Sequence, residues 1–168
     1  KTDYIIVQRD TNTAITGCLA ASIYNRKYLI DYKKINIVHI EAGLRSFDER
    51  MPEEINRKLI DQLSNILFVP TKIDLENLKK ERLISNKKIF TVGNTISDII
   101  KKYSPFIKKD QILKRFNLLK KNYFLITLHR PETVDNPKKL NKLVHYFEKI
   151  GKKFQTNFYS QYIQGRKI

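Results

Sequence analysis

The sequence predicts an α/β protein: a parallel sheet with flanking helices. Short continuous apolar runs alternate with longer segments whose apolar residues recur at helical spacing, the pattern of strands and helices taken in turn. Cap and turn residues separate them. Where several of the short runs end, ionisable or amide side chains follow at once, which is where open parallel sheets take their ligands.

The elements follow in order. Tyr4–Gln8 holds the run Tyr4-Ile5-Ile6-Val7 and reads as a buried strand, and Thr13–Tyr24, rich in alanine and small residues, reads as the helix after it. Asn36–Ile40 is the second strand. Pro52 with Glu53 and Glu54 opens a helix to about Ser64, since proline suits the first turn and acids complement the dipole there. Ile66–Val69 is a strand stopped by Pro70, Thr71–Leu83 a helix with Thr71 as a candidate cap, and Lys88–Val92 a fourth strand. A helix from Ile96 should stop near Tyr103, because a residue before proline disfavours helical backbone and Pro105 follows. A basic helix over about Lys109–Leu119 is expected next, then the strand Tyr123–Leu128 and the helix Pro137–Ile150, ended by Gly151.

Composition excludes several classes of protein. The 41% hydrophobic and 11% aromatic content belongs to a folding chain, and 168 residues are enough for a sizeable core. A single cysteine, Cys18, allows no internal disulfide and reads as a small buried residue. The net charge of +16 raises nucleic acid as a partner, but the lysines are spread over the chain without interleaved aromatics, so solvated helix faces are expected and no specific nucleic-acid binding. No apolar run approaches the ~18 residues of a membrane helix, and a cytoplasmic protein is expected. The three histidines and the cysteine lack metal-ligand spacing, and neither a G-x-G-x-x-G nor a P-loop is present. That disfavours metalloenzymes, dinucleotide oxidoreductases and P-loop phosphotransferases.

Four places put chemistry at predicted strand ends. Asp10 follows the first strand, where it is either a helix cap or a ligand-facing acid. Glu41 and Arg45 leave the second strand around Gly43, as a surface ion pair or as functional groups on a tight turn. Asn94 and Thr95 follow the fourth strand, and His129 and Arg130 follow Tyr123–Leu128. Arg57 stands one turn along from Glu53 and Glu54 and can pair with either. His145 lies on the last helix and reads as solvated or packed.

Taken together, Asp10-Thr11-Asn12-Thr13, H-I-E-A-G-L-R-S at 39–46, M-P-E-E-I-N-R at 51–57, F-V-P-T at 68–71, V-G-N-T at 92–95 and L-H-R at 128–130 resemble the non-hydrolysing UDP-N-acetylglucosamine 2-epimerases, most of all the archaeal type. The resemblance runs from residue 3 to about 150. It implies part of a two-domain fold similar to B-type glycosyltransferases, and interconversion of UDP-N-acetylglucosamine and UDP-N-acetylmannosamine with no cofactor. The C2 proton is removed, UDP is expelled to leave a 2-acetamidoglucal, and UDP adds back after reprotonation on the other face. Such chemistry wants a carboxylate on each face of a weakly acidic C–H, and donors where the diphosphate departs. Carried over by motif, Asp10, Glu41, Glu53 and His129 are the catalytic set, with His129 on the diphosphate. Arg45, Arg57, Asn94, Thr95 and Arg130 are the substrate-binding set, Arg45 and Arg57 in supporting roles.

Two motif positions depart from the family: Arg9 stands where glycine is usual, and Thr133 where H-R-x-E-N has asparagine. The resemblance divides the chain into a partial N-terminal Rossmann-like domain over 1–104, a basic interdomain segment over 105–122, the start of a C-terminal domain over 123–150 and a divergent tail over 151–168. Family members are considerably longer, and the chain enters its first strand at Tyr4 with almost no lead-in. A fragment is therefore expected, without measurable turnover by itself. The expected partners are UDP-N-acetylglucosamine or UDP, and a second copy or a complementary fragment. The alternative reading is a non-catalytic remnant that binds UDP-sugar weakly or associates with a full-length epimerase.

Overall fold

A computed structural model of the chain describes residues 2–27, 34–128, 130–152 and 155–160. The chain forms two compact units, Lys1–Ser104 and Pro105–Ile168. The first unit has the order β1 (Tyr4–Gln8), α1 (Asn12–Lys27), β2 (Asn36–Ile40), α2 (Pro52–Leu63), β3 (Ile66–Val69), α3 (Lys72–Lys80), β4 (Lys88–Thr91) and the start of α4 (Thr95–Lys109). Its four strands are parallel in the order β1-β2-β3-β4, with Ile5 opposite Ile37, His39 opposite Leu67, and Leu67 opposite Ile89. Strand pleating puts Ile5, Val7, Ile37, Leu67, Val69 and Ile89 on one face. Against that face α1 and α2 bring Ala14, Cys18, Ala21 and Ile60, and α3 brings Leu78. Burial pushes the Cys18 thiol up to about 11, which suits a packing residue and not a nucleophile.

Local chemistry sets the helix ends. Thr11 accepts from the Ala14 N–H at 3.2 Å, so Thr11 caps α1 and Asp10 is left for other work. Thr71 and Asp74 form a reciprocal capping box at the start of α3. That helix ends at Lys80 and not at Leu83, because Arg82 turns left-handed (φ 58°) while the N–H groups of Arg82 and Leu83 bond back to Lys79 and Leu78. The last carbonyls of α2 are met by Lys87, whose ammonium donates to the oxygens of Asp61 at 3.0 Å, Gln62 at 2.8 Å and Ser64 at 2.6 Å. Burial holds that ammonium below the usual lysine range, against the opposing pull of the Asp61 charge.

Pro105 does not end its helix. Helix α4 continues to Lys109 with Pro105 inside it. Proline removes one hydrogen bond, while the apolar spacing of Ile96, Ile99, Ile100, Tyr103, Phe106 and Ile107 carries helical periodicity through it.

The second unit holds α5 (Ile112–Arg115), β5 (Tyr123–Leu128), α6 (Pro131–Val134), α7 (Pro137–Gly151) and β6 (Gln155–Ser160). The long basic helix expected over Lys109–Leu119 shrinks to α5, since Asn117 adopts φ 51° and the N–H groups of Asn117 and Leu118 return to Lys114 and Leu113. Gly151 is the last residue of α7, one beyond the expected end at Ile150, and Lys152 is its C-cap. β6, in the stretch expected to be a divergent tail, pairs in parallel with β5 over Tyr123–Leu128. Among the described residues of this unit none is buried; the described core lies in the first unit.

Gly43 is the position where the fold of the first unit tolerates no side chain. Its φ is 81°, and a Cβ there would lie 2.4 Å from the Asp74 carbonyl oxygen. Gly93 shares the left-handed backbone (φ 86°) with nothing within 4 Å. Gly43→Ala should cost roughly 3 kcal/mol, about 1 from the backbone and about 2 from displacing α3, and Gly93→Ala only about 1 kcal/mol. Urea unfolding of both variants checks this; equal losses would show that the α3 contact is not what excludes a side chain at 43.

Candidate active site

The site is built outward from a carboxylate inside α2. Asp61 has no exposed surface. Its Oδ1 meets His39 Nδ1 at 2.7 Å, and its Oδ2 accepts from the Gly43 N–H at 3.1 Å and from Arg45 Nη1 at 2.8 Å. His39 Nε2 in turn reaches the Arg9 carbonyl at 3.0 Å. Both ring nitrogens thus face oxygen atoms, one on α2 and one at the end of β1. Arg45 closes the network with a bidentate pair on Glu81, Nε at 2.7 Å and Nη2 at 2.6 Å. Burial works against its charge, but Glu81 and Asp61 outweigh it and hold the guanidinium firmly protonated.

This network holds two residues in left-handed backbone at the strand ends, Arg9 after β1 (φ 63°) and Glu41 after β2 (φ 69°). For L-residues that conformation costs about 1–2 kcal/mol each. The His39 ring and the 3.2 Å bond from the Arg9 N–H to the Ile40 carbonyl fix the first; the bond from the Ala42 N–H to the Phe68 carbonyl at 3.0 Å follows the second.

Glu41 is buried and its two oxygens are held apart in function. Oε1 accepts from Gln8 Nε2 at 2.9 Å and from the Thr95 hydroxyl at 3.1 Å, and Oε2 accepts from Arg9 Nε at 3.1 Å. Asp10 pairs through Oδ2 with Arg57 Nη2, while its carbonyl accepts from Asn56 at 2.9 Å. Arg57 also reaches Glu54 through Nη1 at 3.3 Å, and its buried Nε has no hydrogen-bond partner among the described residues. Glu54 is fully buried and takes the Ser46 N–H at 2.8 Å, the Ser46 hydroxyl at 2.9 Å and the Phe47 N–H at 3.3 Å. Burial pushes its carboxyl upward, but the Ser46 and Phe47 bonds and the Arg57 charge outweigh burial and hold it below the usual glutamate value.

These side chains surround a cavity of about 300 Å³ lined by Arg9, Asp10, Glu41, Leu44, Arg57, Asn94 and Ile96. Of the residues picked out by sequence, Asp10, Glu41, Arg57 and Asn94 line it, and Thr95 supports it through Glu41. Glu53 is exposed on the first turn of α2 and is not part of the lining. Arg45 is wholly buried and stands behind the cavity, committed to two carboxylates. Arg130 is exposed in the second unit, where the Thr133 and Val134 N–H groups donate to its carbonyl. His129 lies outside the described residues. Sequence reasoning missed Asp61 and Glu81, and gave Glu54 only as a possible partner of Arg57, the pair that the structure forms. The one available signal was the charged series Glu54, Arg57 and Asp61, whose helical spacing places it on a single face of α2.

Fold and site define an α/β protein whose acids gather in a cavity at the carboxyl ends of a parallel sheet, the ligand position of such sheets. The sequence profile of UDP-N-acetylglucosamine 2-epimerase matches residues 1–163, and so includes residues 151–163 of the stretch expected to be a divergent tail. The chain belongs to the UDP-N-acetylglucosamine 2-epimerase family. It is 47% identical over 160 residues to the UDP-N-acetylglucosamine 2-epimerase of Methanococcus maripaludis, which covers 94% of this chain and 41% of that protein. It is 39% identical to the UDP-2,3-diacetamido-2,3-dideoxy-D-glucuronate 2-epimerase of Pseudomonas aeruginosa, covering 87% of this chain and 38% of that one. The structure of Methanocaldococcus jannaschii UDP-GlcNAc 2-epimerase in complex with UDP-GlcNAc and UDP superposes with a TM-score of 0.78 at 42% identity, covering 95% of this chain and 42% of that one. The chain thus spans about two fifths of the length of these relatives.

Because the Glu54 carboxyl is held below its unfolded-state value near 4.5, its contribution to stability is fully present above that pH and is lost as pH falls through the lower folded value. Glu54→Gln should cost about 2–4 kcal/mol at pH 7, by leaving the Ser46 donors and Arg57 underpaired. The gap to the unchanged chain should narrow below pH 4.5. Urea unfolding at pH 7 and pH 3.5 measures it; a gap of the same size at both would contradict the assignment.

Proposed function

We propose that this cavity is the acid–base part of a UDP-N-acetylglucosamine 2-epimerase site, which interconverts UDP-N-acetylglucosamine and UDP-N-acetylmannosamine by elimination and re-addition of UDP. The observation that carries the reading is the meeting of the Asp10 and Glu41 carboxylates in one cavity. Two bases are what inversion at one carbon requires: one takes the C2 proton, the C–H pair becomes the C1–C2 double bond, and the C1–O bond breaks to release UDP. In the return direction a proton arrives on the opposite face of C2 and UDP adds back to C1.

In this reading Arg57 orients Asp10, and Gln8 and Thr95 orient Glu41, leaving rotamers little freedom at the reacting centre. Asn94 stands at the rim to touch the substrate. Glu53 is the third acid carried over by motif, His129 is the diphosphate contact and Arg130 a further substrate-binding residue. The whole activity belongs to the reading of the longer relatives, and for this chain it is the binding of the nucleotide sugar that can be tested directly.

Addition of UDP-N-acetylglucosamine to isotope-labelled chain should shift amide resonances at residues 9–11, 41–45, 56–57 and 93–96, saturably. Asp10→Asn and Glu41→Gln should leave those amides responsive, since each keeps the shape of its side chain. Shifts confined to other parts of the chain, or none, would remove the cavity as the nucleotide-sugar site.

A further inference from the structure

Arg9 lines the cavity but has no part in the acid–base reading. Its backbone is left-handed, a conformation that glycine adopts freely and that a long cationic residue adopts only when the surroundings impose it. The consequence is that a guanidinium enters the cavity from the end of β1, beside Glu41.

The three arginines around the site differ in what they have left to give. Arg45 is spent on Asp61 and Glu81, and Arg57 gives both Nη groups to Asp10 and Glu54. Arg9 uses only Nε, on Glu41; among the described residues its two Nη groups have no hydrogen-bond partner, and the side chain is 52% exposed. Its open edge is therefore a planar pair of N–H donors, the arrangement that takes two oxygens of one carboxylate or phosphate. A ligand that fills the cavity displaces the water now available to this edge. A neutral surface laid over it would leave a desolvated cation with a single partner, whereas an anionic group would replace the lost water bonds.

We propose that Arg9 is a further substrate-binding residue, whose Nη edge takes an anionic group of the bound nucleotide sugar while Nε stays on Glu41. The assignment rests on the nucleotide-sugar reading above. The anionic group is either the diphosphate or a carboxylate carried by the sugar, and the two sources are separable.

Calorimetric titrations of the unchanged chain, Arg9→Gly and Arg9→Lys with UDP, UDP-N-acetylglucosamine and UDP-N-acetylglucosaminuronate make the test. Arg9→Gly suits the left-handed backbone, so folding is not at issue, and Arg9→Lys keeps the charge but loses the fork. A loss of tenfold or more for all three ligands in Arg9→Gly assigns the edge to the diphosphate. The same loss for the uronate alone assigns it to a sugar carboxylate; in either case Arg9→Lys should fall between. Arg9→Gly binding all three as tightly as the unchanged chain, or more tightly, overturns the proposal. An unchanged chain that binds none of the three overturns the nucleotide-sugar reading itself, and the role of Arg9 with it.

Discussion

A carboxylate with no water around it must find donors, and Asp61 finds three: His39 from β2, and Gly43 and Arg45 from the turn that follows. Breaking such a buried set leaves uncompensated charge, at a cost on the order of 3–5 kcal/mol, so the three segments cannot easily part. The turn after β2 is thereby held to α2, and His39 extends the hold to the Arg9 carbonyl at the end of β1. The opposite side of the same turn is closed by α3, through the Gly43 approach to Asp74 and the 3.0 Å bond from Asn77 to the Gly43 carbonyl.

The cavity inherits its geometry from this arrangement. Arg9 and Glu41 stay left-handed because the network beneath over-determines their backbone, and in that conformation their side chains meet at the cavity wall. Glu54 does for Arg57 what Asp61 does for Arg45: a buried acid, satisfied by Ser46 and Phe47, sets the guanidinium that reaches Asp10. Two buried acids therefore position two cavity acids by way of arginine and histidine. Such indirect support fixes the positions of two carboxylates at the cavity wall within small tolerances.

The strands were legible in the sequence because a short apolar run has few other uses in a chain of this composition. Tyr4–Gln8, Asn36–Ile40, Ile66–Val69 and Tyr123–Leu128 fall where the pattern puts them. The helix ends at Lys80 and Arg115 were not, since a left-handed residue such as Arg82 or Asn117 carries little signal when it is not glycine. Pro105 misled because the rule for pre-proline residues is a preference that continuing helical periodicity overrode. β6 has no alternation to announce it and depends on its pairing with β5. In the site, the motifs led to Asp10, Glu41, Arg57 and Asn94 because these sit at strand ends or one helical turn away. Glu81 was invisible, since its partner Arg45 is 36 residues distant and nothing local distinguishes it from a surface acid; for Asp61, whose partners lie 16 to 22 residues away, the spacing with Glu54 and Arg57 was the one local sign.

Amide hydrogen exchange in Asp61→Asn tests the dependence of the site on this one carboxylate. Protection should fall at Gly43 and at the Arg9 and Ala42 amides beside the two left-handed residues, while Ile37 and Leu67 in the middle of the sheet stay protected. Loss of protection spread evenly over the first unit, or retained protection at Gly43, would contradict the claim that Asp61 holds the cavity in place.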